Sequence, residues 1–326
     1  MRIPARVIAV AAGGGIVIGA AIAWSAGTSA PSASPAAAKI HPAASPPAAR
    51  ASQSPGPPSL AQLGIQVVGA PRGVKAKGGV LADAAAGTQL WSRDLNTERP
   101  IGSVTKVMTA LVVIRAGDLS RKIRVPKAVI AYVTKYQADS AGLHPGDVLT
   151  ARQLLEAMLL PSGCDAAYTL ATIYGPGMTA FLAKMNSTAQ QLGMTDTHFT
   201  SPDGLPYPTE RSTFSTPADL LTLGLAATKS SVFRSIVAQH IYQIPKGPGH
   251  HHYWWENTNE LLGTYPGATG IKTGFTNVAL HCLLFEAVRD GFTLIGVVLG
   301  SPATGPASGA DDAARVLNWG FGLPGT

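Results

Sequence analysis

A serine three residues ahead of a lysine, at the mouth of a long apolar run, constrains this chain more than any other feature. Residues 101–110 read Ile-Gly-Ser-Val-Thr-Lys-Val-Met-Thr-Ala, and the apolar spacing continues through Leu111, Val112 and Ile114 to Gly117. Such spacing, opened by a small residue and closed by glycine, predicts a helix of about four turns. Residues three apart share a helix face, so Lys106 reaches the Ser103 hydroxyl. Ser103 also lies at the helix N-terminus, where unpaired N–H groups and the helix dipole favour an oxyanion. These are the elements of a serine nucleophile activated by a lysine base. In isolation, the same pair is more often a capping serine followed by a solvated lysine.

Two further stretches decide between these readings. Pro161-Ser162-Gly163-Cys164-Asp165 follows at medium range, and Gly270-Ile271-Lys272-Thr273-Gly274 lies far downstream. Ser-x-x-Lys, then a Ser-x-Asn-like triplet, then Lys-Thr-Gly is the motif order of penicillin-binding proteins and class A β-lactamases. Further blocks extend the match: Ser140-Ala141-Gly142-Leu143 with Gly146-Asp147, Ser201-Pro202-Asp203-Gly204-Leu205, Phe214-Ser215-Thr216, Asn257-Thr258-Asn259 and Asn318-Trp319-Gly320-Phe321. From about Gly79 to Phe321 the chain resembles a D-alanyl-D-alanine carboxypeptidase, a low-molecular-weight penicillin-binding protein. The middle motif of that family usually ends in Asn, whereas here it ends in Cys164.

The resemblance implies a set of roles. Ser103 attacks the carbonyl of a D-Ala-D-Ala peptide bond, and Lys106, which must be neutral for the purpose, takes its proton. Ser162, on a loop facing Lys106, relays a proton to the departing amine. Lys272 and Thr273, between Gly270 and Gly274, hold the terminal carboxylate of the substrate. The backbone N–H groups of Ser103 and Phe275 form the oxyanion hole, and Cys164 stands where the family binds substrate. No cofactor and no metal are expected. The partners implied are peptidoglycan stem peptides and, as covalent inhibitors, β-lactam antibiotics.

Residues 1–26 carry Arg2 and Arg6 before an apolar run from Val7 to Trp24, and Thr28-Ser29-Ala30 offers a small-residue cleavage site. This predicts a signal peptide or an N-terminal membrane anchor, hence an exported protein of the cell envelope. Residues 27–60 are Ala, Pro or Ser at 25 of 34 positions and cannot bury a core. The stretch 27–62 is therefore expected to be a disordered linker, reaching on the order of 100 Å at ~3 Å per residue. The catalytic domain is placed at 63–326.

Within that domain, strands are expected at Val80–Ala82 and Gln89–Trp91, ahead of the Ser103 helix. Thr150-Ala151-Arg152-Gln153 is a capping box opening a helix that Pro161 stops. Helices follow over Ala166–Tyr174, Met178–Leu192 and after Thr216-Pro217. Strands return at Ala268–Thr273, Cys282–Val288 and Phe292–Leu299, then a last helix over Ala310–Trp319. The fold expected is α/β: an antiparallel sheet flanked by helices, with an inserted all-helical subdomain at about 117–240 and the site in the cleft between them.

The net charge of +7 comes from seven Lys or Arg that precede the first acidic residue, Asp83; the rest carries 18 of each sign. A nucleic-acid groove is therefore not supported. Cys164 and Cys282 are expected to remain unbridged, Cys282 as a small buried hydrophobe. His250-His251-His252 before Tyr253-Trp254-Trp255 suggests an aromatic loop near the cleft rim, touching peptide or glycan, rather than a metal site.

Two other functions compete with a DD-peptidase. A β-lactamase of class A would need a Glu-x-x-x-Asn to place the deacylating water, and none occurs between Ser162 and Lys272. A catalytically weak wall-binding relative has only Cys164 in its favour. Because a thiol is a weak donor and acceptor, Cys164 predicts slow hydrolysis and an acyl-enzyme that lasts long enough for an amine acceptor to compete. Because its motif faces the cleft, Cys164 is also expected to react with a small thiol reagent, and bound penicillin is expected to protect it.

Overall fold

The computed structural model describes residues 69–302 and 308–323. The expected leader over 1–26 and linker over 27–62 lie outside these residues. In chain order the elements are β1 (Gly78–Asp83), β2 (Thr88–Arg93), β3 (Arg99–Pro100), α1 (Lys106–Ala116), β4 (Lys122–Arg124), α2 (Ala128–Tyr136), β5 (Val148–Thr150), α3 (Ala151–Leu159), α4 (Cys164–Tyr174) and α5 (Met178–Gln191). Then come β6 (Phe214–Ser215), α6 (Pro217–Thr228), α7 (Ser231–Val237), β7 (Ile241–Ile244), β8 (Tyr253–Glu256), β9 (Ala268–Thr276), β10 (Leu280–Arg289), β11 (Phe292–Ser301) and α8 (Ser308–Gly320).

The main sheet is antiparallel with order β2-β1-β11-β10-β9, which joins strands that precede the helical middle to strands that follow it. Its inner strands run apolar without alternation because both faces are covered. On β10, Leu283, Phe285 and Ala287 pack with Ala313, Val316 and Leu317 of α8, while Cys282 and Leu284 face the helices on the other side. On β11, Leu294 and Val298 join the first group and Ile295, Val297 and Leu299 the second. α1 is buried from Lys106 to Val113 and forms the central strut of the helical side. A helix enclosed on all sides reads apolar all round.

Local signals placed most elements. Thr150 and Gln153 make the reciprocal capping box, and Thr216 caps α6 ahead of Pro217. The helix expected from Ala166 starts two residues earlier, at Cys164. α2, α7 and the short strands β3 to β8 carry no such signal, and β4, β5 and β6 fall within the stretch 117–240 expected to be helical. Among the described residues, no single helix is long and apolar enough to cross a membrane.

One buried acid inside the helical region gives a stability test. Glu156 of α3 is fully buried, with Gln239 Nε2 donating to Oε2 at 3.0 Å and Arg152 Nε 3.5 Å from Oε1. Burial outweighs both partners and pushes its carboxyl up to about 7. A group raised in the folded state stabilises below its unfolded value and loses that contribution as pH climbs through the raised one. The wild type should thus lose stability between about pH 4.5 and pH 7, by on the order of 2–3 kcal/mol at this site. Glu156→Gln should lack that loss, with a melting temperature above wild type at pH 8 and close to it at pH 4.5.

Candidate active site

Ser103 does not sit in the α-helix proper. It lies in a 3-10 turn, Gly102–Thr105, which runs directly into α1 at Lys106. The tighter turn keeps the three-residue spacing on one face, and Lys106 Nζ lies 2.8 Å from Ser103 Oγ. Ser103 is partly exposed, whereas Lys106 is fully buried. Three other groups surround the Lys106 nitrogen: Asp203 O at 3.1 Å, Ser162 Oγ at 3.4 Å and Cys164 Sγ at 3.4 Å.

Ser162 reaches Lys106 at some backbone cost. Its φ is 66°, a left-handed conformation that a serine adopts at roughly 1 kcal/mol. The helix that follows begins at Cys164, whose side chain is thereby turned inward against Lys106. Cys164 is 2% exposed and is not among the residues lining the cleft. This corrects the expectation that it faces substrate. Burial pushes its thiol up to about 12, against the pull of Lys106. Since the thiolate is the reactive form, a thiol reagent at neutral pH should leave Cys164 unmodified in the folded chain and label it only after unfolding, as mass analysis can show.

The opposite wall is β9, the edge strand of the sheet. Its approach to the nucleophile depends on a missing side chain: a Cβ on Gly274 would lie 2.5 Å from Ile101 O and 3.1 Å from Ser103 N. Any larger residue would push the strand and the turn apart. Phe275 follows, its backbone N 2.9 Å from where a Gly102 Cβ would be, with its ring half exposed near His281. Lys272 is 1% exposed, and its Nζ lies 3.2 Å from Thr273 Oγ1. Burial, and then the charge of Lys106, lower its ammonium to about 7. Thr273 Oγ1 also pairs with Thr258 Oγ1 at 2.7 Å.

A cleft of about 200 Å³ opens over these groups, lined among others by Ser103, Ser162, Thr258, Thr273, Phe275 and His281. The structure therefore gathers Ser103, Lys106, Ser162, Cys164, Lys272, Thr273, Gly274 and Phe275 around one point, with both lysines and Cys164 behind the surface. Thr258, Asp139 and the Asp203 carbonyl were not assigned from sequence. Asn257-Thr258-Asn259 and Ser201-Pro202-Asp203-Gly204-Leu205 stood out as blocks, but no local signal gave them roles.

The histidine-rich stretch is not an aromatic loop at the cleft rim. Tyr253–Glu256 is a strand, β8, paired with β7, and none of residues 250–255 lines the cleft. Tyr253 and Trp255 are buried, the former donating to Asp147 Oδ2 at 2.6 Å and the latter to Ala141 O at 2.8 Å. His251 Nδ1 lies 3.0 Å from Asp147. Asp165 accepts from Ala141 N, Leu143 N and Ser140 Oγ, so the hairpin and α4 together hold the 140–147 loop. Cys164 and Cys282 are both free and buried.

Residues 65–303 match the family model described as D-alanyl-D-alanine carboxypeptidase. The chain is 40% identical over 262 residues to a D-alanyl-D-alanine carboxypeptidase of Streptomyces sp. strain K15, covering 77% of this chain and 88% of that one. It is also 40% identical over 247 residues to the D-alanyl-D-alanine carboxypeptidase DacB2 of Mycobacterium tuberculosis, covering 75% and 81%. The crystal structure of the Streptomyces K15 DD-transpeptidase superposes with a TM-score of 0.73 at 40% identity, covering 78% of this chain and all of that one. A serine and a lysine joined at the start of a buried helix, walled by a Lys-Thr-Gly edge strand within this antiparallel α/β fold, thus mark the chain as a member of the D-alanyl-D-alanine carboxypeptidase family of serine peptidases.

Proposed function

We propose that the chain cleaves the terminal D-Ala-D-Ala bond of peptidoglycan stem peptides through an acyl-enzyme on Ser103, and that β-lactams acylate the same hydroxyl. The observation that carries this reading is the 2.8 Å approach of Lys106 Nζ to Ser103 Oγ at the open end of the cleft. Ser103 Oγ attacks the carbonyl carbon while neutral Lys106 accepts its proton. The N–H groups of Ser103 and Phe275 receive the oxyanion. As the C–N bond breaks, Ser162 passes a proton from Lys106 to the leaving amine, and D-alanine departs. Water or an acceptor amine then attacks the ester. The weak acceptor that Cys164 sets against Lys106, rather than any contact with substrate, leaves the acyl-enzyme long-lived, which favours the amine. By this reading the protein works outside the cytoplasmic membrane in cell-wall synthesis and cell shape, tethered or released by its N-terminal segment.

Incubating the protein with a diacyl-D-Ala-D-Ala peptide, with and without an acceptor amine, and following products by mass tests the reaction. Release of D-alanine supports it. An intact peptide alongside a folded protein rules it out.

The Lys272 environment adds a pH dependence. Its ammonium, lowered to about 7 by burial and Lys106, is the form that attracts a carboxylate. KM for a substrate with a free terminal carboxylate should therefore be low below about pH 7 and rise above it. A substrate amidated at that end should bind weakly and show no such rise. Steady-state kinetics on the two peptides across this range provides the check.

A further inference from the structure

The loop over Ser201–Leu205 meets the Ser103 turn backbone to backbone. Gly204 has a φ of 85°, and a Cβ there would lie 1.9 Å from Gly102 O. Gly204 N donates to Ser201 Oγ at 2.9 Å, and Thr109 Oγ1 of α1 donates to Pro202 O at 2.6 Å. The loop thereby presents Asp203 O to Lys106 Nζ at 3.1 Å. The Asp203 carboxylate is itself 1% exposed. Leu205 N donates to its Oδ1 at 3.2 Å within the loop, and the Tyr132 hydroxyl of α2 donates to its Oδ2 at 2.7 Å.

Tyr132 is well placed to hold that carboxylate. Its ring packs on Tyr168 of α4 at 4.7 Å and on Tyr136 at 5.0 Å between centroids. Burial, and then the charge of Asp203, raise its phenol far above the ordinary range, so it remains a donor throughout working pH. The titratable groups facing Tyr132 and Asp203 are Cys164, Tyr136 and Tyr168, with Lys106 on the Asp203 carbonyl; Asp139 lies beyond Cys164. Asp203 therefore turns its carbonyl to Lys106 and its carboxylate to Tyr132.

We propose that Tyr132 is a positioning residue for acylation: by fixing the Asp203 carboxylate it fixes the carbonyl that seats Lys106 and limits the negative charge that Lys106 feels. The inference rests on the function proposed above. Without the hydroxyl, Oδ2 loses its donor in a site that water reaches poorly. The carboxylate is then left unpaired, the carbonyl that seats Lys106 is no longer held in place, and an undispersed negative charge favours an ammonium, which cannot serve as a base.

The test is the rate of acylation by a fluorescent penicillin, followed from about pH 5 to about pH 9 on the purified chain. Tyr132→Phe should acylate roughly tenfold more slowly near neutral pH, with the acid limb of the profile moved up by about half a pH unit or more. Tyr136→Phe, which keeps the aromatic cluster and leaves Asp203 untouched, should give the wild-type profile. If Tyr132→Phe does not fold, Asp203→Asn serves in its place, and loss of the negative charge should move the acid limb down. A Tyr132→Phe profile that superimposes on wild type, or a slower rate with an unmoved limb, overturns the proposal and leaves Tyr132 a packing residue. An unmoved limb in Asp203→Asn overturns it equally. A wild-type chain that no β-lactam acylates at any pH removes the reading of the site, and this inference with it.

Discussion

A penicillin incubated with the folded chain should add once, to Ser103, and the adduct should be absent from Ser103→Ala. Ser103 is the partly exposed hydroxyl at the cleft, with a lysine nitrogen 2.8 Å away. Ser162 is the competing hydroxyl, but it is 5% exposed and 3.4 Å from the same nitrogen. The adduct should persist, because no Glu-x-x-x-Asn lies between Ser162 and Lys272 to place a deacylating water. Peptide hydrolysis by Ser103→Ala should fall by on the order of 10³ or more, as for loss of a nucleophile. Intact-mass analysis and peptide mapping decide the matter: an adduct that survives in Ser103→Ala shows that another residue is the nucleophile.

Lys106→Arg should be nearly as damaging. The substitution preserves charge, but guanidinium does not deprotonate in this range, and its planar fork does not fit a pocket built for an ammonium. Lys106 is fully buried and contacts Ser103, Ser162, Cys164 and Asp203 through one nitrogen. Acylation should slow by on the order of 10² or more from loss of the general base alone. A rate equal to wild type, measured with a chromogenic β-lactam, would reduce Lys106 to a structural role.

The parts of the site that sequence reveals are those whose contacts are short in the chain. Ser103 and Lys106 are three residues apart, and apolar spacing alone places them on one face. The capping box at Thr150 and the proline at the start of α6 announce their helices in the same way. Asp203 is hidden because it meets Lys106 across 97 residues, and through its backbone, which any residue type offers. Tyr132 meets Asp203 across 71. The β7–β8 hairpin was masked by its connection, in which Pro245, Gly247, Pro248 and Gly249 and three histidines hide the alternation of buried Tyr253 and Trp255 with exposed Trp254 and Glu256. Cys164 was misplaced by a helix start: an α4 that opens at residue 164 turns that side chain toward Lys106 instead of the cleft.

Phe275 separates two tasks at a single position. In the proposed mechanism its main chain, pressed close to Gly102, supplies the oxyanion donor, while its half-exposed ring lies near His281. The donor is common to all residues except proline, so the ring can change without removing it. Selection on this enzyme, in a cell meeting new β-lactams or in a laboratory library, can therefore alter which side chains the cleft mouth admits while the acylation chemistry stays intact. Gly274, one residue earlier, offers no such latitude, so neighbouring codons of one strand should show opposite tolerance.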